Sequence, residues 1–216
     1  MAIRAGETPA LPFNKESMKT YQYLLLTLVL TSAAVAETTN TWFRIDGDQQ
    51  GHILWVGGQN GQWVHDFIFY PAPGWIEADL GRLINIAPGN DLQPMIGLNH
   101  DPIVGRLNWI VPQLFWFSNN GKHSSEFWAL YYMRATKSLT DSHWILFQER
   151  YEINSLIRIG PQFEWFHNYT QNKRAGTYLG LGMKIAYGPK MSVDLSVSRD
   201  LDNDRGVARL TFLSYF

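Results

Sequence analysis

The sequence has 216 residues and contains no cysteine, which excludes disulfide frameworks, thiolate metal sites and cysteine nucleophiles. Charged residues are scarce at 17%, whereas about a quarter of the residues in a soluble domain are usually charged. The formal net charge of −1 provides no attraction for nucleic acid or another polyanion, so no nucleic-acid partner is expected. Aromatic residues are abundant, with nine Trp and ten Tyr. The length predicts one domain, and the scarcity of charged residues indicates that its exterior is not a typical water-exposed surface.

A hydrophobic segment near the N-terminus has the features of a secretory signal peptide. Lys19 supplies a positive charge, residues 23–30 are apolar, and Ala34-Val35-Ala36 provides a cleavage site with small residues at both ends. The apolar run is shorter than the ~20 residues that a membrane-spanning helix needs. The predicted divisions of the chain are a leader or misassigned start at 1–17, a cleaved signal peptide at 18–36, and the mature domain at 37–216.

The mature domain alternates apolar and non-apolar residues with a period of two, as in MSVDLSVS at 191–198, and this pattern predicts β-strands. Ten strand candidates follow the pattern: 62–70, 75–86, 92–99, 105–117, 124–136, 142–152, 155–167, 173–187, 190–200 and 205–216. Two further segments, 41–46 and 52–57, are shorter than the ~9–11 residues of a tilted spanning strand. They form either another hairpin or a leader or partial plug. The sequence predicts an all-β fold, a transmembrane antiparallel up-and-down β-barrel of ten or twelve strands.

The faces of the strands and the ends of the mature chain favour a membrane barrel. The non-apolar faces are rich in Gly, Ser and Ala, whereas a water-facing exterior would carry many Lys and Glu. A signal peptide together with a terminal Phe216 resembles bacterial outer-membrane β-barrels, in which the last strand commonly ends in Phe as an assembly signal. The resemblance implies a location in the Gram-negative outer membrane. It also implies outer-membrane lipid and, through Phe216, the barrel assembly machinery as partners.

The charged residues within the strands predict a belt of mixed charge inside the barrel. Turn lengths place Lys184 opposite Asp194, Asp194 opposite Arg209, and Glu149 opposite Arg158. Opposite charges across strands stabilise by ~0.2–1 kcal/mol per pair, whereas Lys or Arg on the lipid face costs about 2–4 kcal/mol near the midplane. The predicted belt consists of Glu126, Arg134, Glu149, Arg158, Glu164, Lys184, Asp194 and Arg209. It is a structural ionic core, the selectivity lining of a narrow pore or a catalytic constellation.

The segment KHSSE at 122–126 contains the candidate catalytic residues His123 and Ser125. Their spacing resembles that of outer-membrane phospholipase and lipid A deacylase barrels, in which a His–Ser pair lies on the outside of the barrel. The resemblance implies that the histidine accepts the serine proton and that a third polar group orients the imidazole. In the phospholipase pattern that third group falls at Lys137, which cannot accept the imidazole proton. The predicted topology also places His123 at the periplasmic end, whereas those enzymes act at the outer leaflet.

These observations favour a non-enzymatic envelope barrel without a cofactor, which acts as a narrow pore for small solutes or as a structural component. Ten to twelve strands enclose more space than the eight-stranded barrels that side chains fill. The six histidines are scattered, so no metal site is predicted. Two alternatives remain open. The first is a lipid-modifying hydrolase using His123 and Ser125, and the second is a soluble lipocalin-like binder, whose opening motif the short GQW at 61–63 resembles.

Overall fold

A computed structural model describes residues 40–48, 51–71, 73–169 and 173–216. The predicted leader and signal peptide, 1–36, lie outside the described residues. The strands of the described part are β1 (Asn40–Asp48), β2 (Gly51–Asn60), β3 (Trp63–Tyr70), β4 (Trp75–Arg82), β5 (Ile84–Ala87), β6 (Asn90–Asp101), β7 (Arg106–Asn120), β8 (His123–Arg134), β9 (Ser142–Glu152), β10 (Ile157–Asn168), β11 (Lys173–Ala186), β12 (Met191–Asp200) and β13 (Arg205–Tyr215). Within the described ranges, no helix has the length and hydropathy needed to cross a membrane.

The strands form one closed antiparallel sheet. Strand β1 pairs with β2 on one side and with β13 on the other, which closes the sheet into a barrel. The short β5 pairs with β6 beside the end of β4, and β4 itself pairs with β6 along six residue pairs. The barrel wall therefore has twelve strands, with β5 as an extension at one rim. The predicted all-β antiparallel barrel is confirmed, and of the two predicted counts the structure has twelve.

The first hairpin belongs to the barrel wall. Strand β1 has nine residues and β2 has ten, so both are longer than the predicted segments 41–46 and 52–57. Of the two interpretations of these segments, the hairpin is correct and the leader or plug is wrong. Gly57 lies in β2 opposite Trp42, and its lack of a side chain leaves room for the Trp42 indole. A Cβ at position 57 would lie 2.3 Å from that ring. Tight packing across the strand pair thus extends the hairpin beyond its apolar core.

Side chains alternate between the lumen and the outer face of the barrel. On β12, the outward Leu195 and Val197 are 42% and 65% exposed, whereas the inward Ser196 is 6% exposed. The outward positions are apolar around the wall, including Leu80, Ile96, Leu98, Leu114, Phe147, Ile159, Leu179, Leu181, Leu195, Val197 and Leu210. An apolar exterior around an interior that contains many polar and charged residues is the arrangement of membrane barrels and does not fit a soluble lipocalin-like binder.

The two ends of the barrel differ in their connections. One end, the Phe216 end, carries the final residue of the chain and the two-residue turns 61–62 and 121–122. The turn residues Gly61 and Gly121 have φ angles of 59° and 64°, which glycine adopts without strain. The other end, the loop end, carries the longest described connection, 135–141. In outer-membrane barrels the longer loops are extracellular and the short turns are periplasmic.

One predicted register is wrong, and the error moves a charge to the other face. Arg158 lies opposite Glu152 and not opposite Glu149. The cause is a longer turn in which Asn154 Oδ1 accepts the backbone N–H groups of Leu156 and Ile157, each at 2.9 Å. The shift is three residues, an odd number, so Glu149 points outward and not into the lumen.

Two other registers keep the predicted faces. Lys184 lies opposite Asp194, as predicted from the turn at 188–190. Asp194 lies opposite Thr211 and not opposite Arg209, because the loop between β12 and β13 begins after Asp200. Asp200 Oδ1 accepts the backbone N–H groups of residues 202 and 203, which fixes this later start. The shift of two residues leaves Arg209 on the lumen face.

Candidate functional site

A cavity of about 530 Å³ lies inside the lumen toward the loop end. Its aromatic lining comes from strands on opposite sides of the barrel and consists of Trp55, Tyr70, Trp75, Trp109, Tyr132, Trp144, Phe166 and Tyr178. Its charged lining consists of Arg44, Asp46, Asp48, Glu164 and Arg209. The cavity therefore combines flat apolar surfaces with groups that can bind polar atoms, as small-molecule sites do.

An apolar core fills the lumen beneath this cavity on the side of β2 to β9. The rings of Trp55 and Trp128 lie 5.7 Å apart, and that of Phe115 lies 5.5 Å from Trp128. All three side chains are at most 5% exposed. Arg44 lies over this core, with its guanidinium carbon 4.3 Å from the centroid of the Trp128 ring, which is a cation–π contact. Arg44 thus places a positive charge directly over the apolar core.

The lumen face of β8 to β13 and of β1 carries paired charges. We call it the paired wall. Its ion pairs are Arg44–Asp46 at 2.7 Å, Lys184–Glu126 at 3.9 Å, Arg150–Asp194 at 3.0 Å, Arg158–Glu152 at 3.1 Å, Arg209–Glu164 at 2.8 Å and Arg209–Asp48 at 3.6 Å. Each arginine or lysine in this set has a carboxylate partner, so the wall presents little unbalanced positive charge.

Glycines and serines on β11 and β12 let long side chains lie flat across the paired wall. Arg150 extends from β9 over Gly182, where an added Cβ would be 2.0 Å from the guanidinium. The arginine donates to both carboxylate oxygens of Asp194, at 3.1 and 3.0 Å, and to three backbone carbonyls. It is 3% exposed. Arg150 thus joins four strands through one buried cation.

The wall formed by β3, β4, β6 and β7 holds carboxylates without cations, and we call it the acid pocket. Asp66 and Asp79 lie directly opposite each other in the strand register, and Glu77 is on the same face two residues before Asp79. All three are at most 4% exposed. Among the described residues, no lysine or arginine forms an ion pair with them.

Amide side chains take the place of cations in the acid pocket. Gln113 Nε2 donates to Glu77 Oε1 at 3.1 Å and also to Asp79, and Asn99 Nδ2 donates to Glu77 Oε2 at 3.0 Å. The pocket exists because Gly97 has no side chain: a Cβ there would lie 2.0 Å from Asp79 Oδ1. The described residues contain no group of three or more His, Cys, Asp or Glu arranged to hold a metal ion.

The candidate catalytic residues lie outside the lumen, on the outward face at the Phe216 end. His123 Nδ1 is 3.1 Å from Glu149 Oε1, and Ser125 donates its hydroxyl to Glu149 Oε2. In a nucleophilic relay the histidine stands between the serine and the acid. Here the acid stands between the serine and the histidine, so the geometry does not assemble that relay.

The structure brings most of the predicted belt together and adds residues that the sequence analysis missed. The predicted residues on the lumen face are Glu126, Arg134, Arg158, Glu164, Lys184, Asp194 and Arg209. Arg134 is at the rim, 3.9 Å from Asp141, and Glu149 is outward. Arg150 was missed because the register error assigned the opposite face to it. A signal for the acid pocket is present in IEADL at 76–80, because its two acidic residues are two positions apart and therefore share one face of a strand.

Comparison with solved structures gives the same architecture. The KdgM porin matches with a TM-score of 0.58 and 11% identity over 82% of this chain and 99% of that chain. A complex of that porin with disordered oligogalacturonate matches equally well, and the NanC porin has a TM-score of 0.54 with 10% identity over the same shares. Neither protein-family models nor curated protein sequences give a match to this chain. At these identities the likeness shows the fold of an outer-membrane porin.

Proposed function

We propose that this chain is a channel of the Gram-negative outer membrane, with a narrow pore through which small solutes pass. The loop end faces the outside and the Phe216 end faces the periplasm, as the lengths of the connections favour. The apolar outward face supports this membrane placement, and the shared porin fold supports the function.

The observation that carries the proposal is the cavity of about 530 Å³ at the loop end. Its size falls in the range of about 300–1,000 Å³ that is usual for small-molecule sites. A solute arriving from outside would meet aromatic rings first and then Arg44, which lies over the apolar core. The cavity thus acts as a vestibule, and Arg44 forms part of the constriction below it.

The pairing of lumen charges supports small uncharged polar solutes over anionic ones. One matching structure of the KdgM porin contains oligogalacturonate. In this chain the cations beside the vestibule are neutralised, because Arg44 pairs with Asp46 and Arg209 pairs with Glu164 and Asp48. A polyanion would have to displace these internal carboxylates, whereas a neutral solute would not.

Export and assembly follow from the proposed location. The segment 18–36 would direct export as a cleaved signal peptide. Phe216 is 70% exposed, and its backbone N–H donates to the Thr41 carbonyl at 2.8 Å. The side chain is therefore available to the barrel assembly machinery while the backbone closes the sheet.

Single-channel recording in a planar bilayer tests the proposal, after a heat-dependent gel shift has shown that the protein is folded. We expect discrete conductance steps. Trp144→Ala, which removes a ring from the vestibule, should raise the conductance, and Trp165→Ala on the outward face should not. A folded barrel without conductance steps would contradict the channel and favour a structural component. Equal effects of the two variants would contradict the role of the vestibule.

A further inference from the structure

A polar cluster lies on the outward face where a membrane barrel is otherwise apolar. It consists of His123, Ser125 and Glu149, on β8 and β9 near the Phe216 end. Glu149 must point outward because the next residue, Arg150, reaches across the lumen wall to Asp194. The cluster thus places a carboxylate at the membrane boundary on the side of the short turns.

The internal contacts of Glu149 hold its carboxylate in place but do not neutralise it with a fixed cation. Ser125 and His123 each contact a different oxygen of the carboxylate, and the glutamate side chain remains 29% exposed. Each carboxylate oxygen can accept more than one hydrogen bond, so acceptor capacity remains on both. In the described ranges, no lysine or arginine forms an ion pair with Glu149.

Aromatic rings flank this carboxylate above and below. Phe127 and Phe147 lie opposite each other on the membrane side, and both share the outward face. Tyr151 lies on the periplasmic side, with its ring centroid 5.0 Å from that of His123, and it is 42% exposed. A carboxylate with aromatic residues on both sides of it along the strands is a chemical environment that favours an ammonium group, through charge and cation–π attraction.

We propose that Glu149, Ser125 and the flanking rings form a binding site for the primary ammonium headgroup of a phosphatidylethanolamine molecule in the periplasmic leaflet. The acyl chains lie along the apolar face above the site, and the ammonium supplies the cation that Glu149 lacks. The inference rests on the proposed membrane placement and not on solute passage. Lipid retention and conductance can therefore fail independently.

Native mass spectrometry of the full-length protein released from lipid nanodiscs tests this site. The discs contain equal amounts of phosphatidylethanolamine and phosphatidylglycerol. We expect the wild-type protein to retain the ethanolamine lipid over the glycerol lipid by about threefold or more, the scale of one exposed ion pair. Glu149→Gln should abolish the preference, because the amide removes the charge and keeps the shape.

Glu152→Gln is the matched control, since it removes a carboxylate three residues away that is paired with Arg158 in the lumen. This variant should keep the lipid preference. Equal retention of both lipids by the wild-type protein would overturn the proposal, as would an equal loss in both variants. A heat-dependent gel shift checks that each variant folds, and the wild-type comparison stands without any variant.

Discussion

The paired wall and the acid pocket face the same lumen, but their carboxyl groups have different partners. Cations bind them on the paired wall, and amides bind them in the acid pocket. On the paired wall, carboxylates such as Asp194 bind arginine, and the arginine lies flat over glycine. In the acid pocket, Asp79 and Glu77 are bound by the amide of Gln113 and have no cation among the described residues. The difference shows that burial alone does not dictate ion pairing in this barrel.

The difference between the two walls should appear in the free energy of unfolding of variants. Removing one member of a buried ion pair leaves an uncompensated charge, which is strongly unfavourable. Replacing one of several neighbouring carboxyl groups by a neutral amide removes any repulsion between them and leaves no cation without a partner. Equivalent substitutions on the two walls should therefore change the free energy of unfolding in opposite directions.

The largest effect is expected for Arg150→Met. The substitution keeps much of the volume of the side chain but leaves Asp194 without its bidentate partner. We expect a loss of about 3–5 kcal/mol in the free energy of unfolding, measured by urea titration in detergent micelles. A loss below about 1 kcal/mol, the value for exposed pairs, would show that the paired wall is not held by this cation.

Gly182→Ala should be next in size, because the new methyl group would lie 2.0 Å from the Arg150 guanidinium and displace it. Overpacking of this kind costs about 1–3 kcal/mol. Gly206→Ala is the matched control, since nothing lies within 4 Å of a Cβ at that position. Equal stability changes in the two variants, in the same urea titration, would contradict the flat arrangement of Arg150.

Asp79→Asn tests the acid pocket and should leave stability unchanged or raise it by up to about 1 kcal/mol. The amide keeps an oxygen for Gln113, replaces the carboxyl group opposite Asp66, and supplies a donor beside the unpartnered Asp66 Oδ1. Asp194→Asn on the paired wall should instead destabilise, because it weakens the contact with Arg150. An equal loss of stability in both variants would show that the two walls do not differ in how their carboxyl groups are stabilised.

The smallest effect is expected at the loop end, where Arg199 pairs with Asp204 in the solvent. The two side chains are 68% and 78% exposed, so Arg199→Ala should cost about 0–1 kcal/mol. The same urea titration measures this loss. A loss as large as that of Arg150→Met would show that burial does not separate strong from weak pairs here.

The fold could be predicted from the sequence because a period of two, a terminal aromatic residue and short turns all indicate the same architecture. The first hairpin was ambiguous because glycines such as Gly57 interrupt its apolar pattern. The lumen-facing residues were harder to predict, because the length of a single turn decides which residues of a strand point into the lumen. The side chain of Asn154 lengthens one turn, and this reversed the predicted positions of Glu149 and Arg150.

The acid pocket could not be predicted from cross-strand charge matching, which seeks opposite charges. Asp66 and Asp79 are both acidic residues in direct register, and the groups that satisfy the pocket, Gln113 and Asn99, come from two other strands. Only the closed barrel brings these residues together. Buried amides carry no charge, so no charge pattern in the sequence distinguishes them from exposed amides.

Internal carboxylates neutralise the cations of the lumen, and the reversal potential of the channel under a potassium chloride gradient tests this directly. We predict little ion preference for the wild-type protein. Glu164→Gln, which removes the carboxylate charge 2.8 Å from Arg209 and leaves Asp48 as its ion-pair partner, should shift the potential toward anion preference. A strongly anion-selective wild-type channel, unchanged by Glu164→Gln, would show that the internal carboxylates do not neutralise these cations.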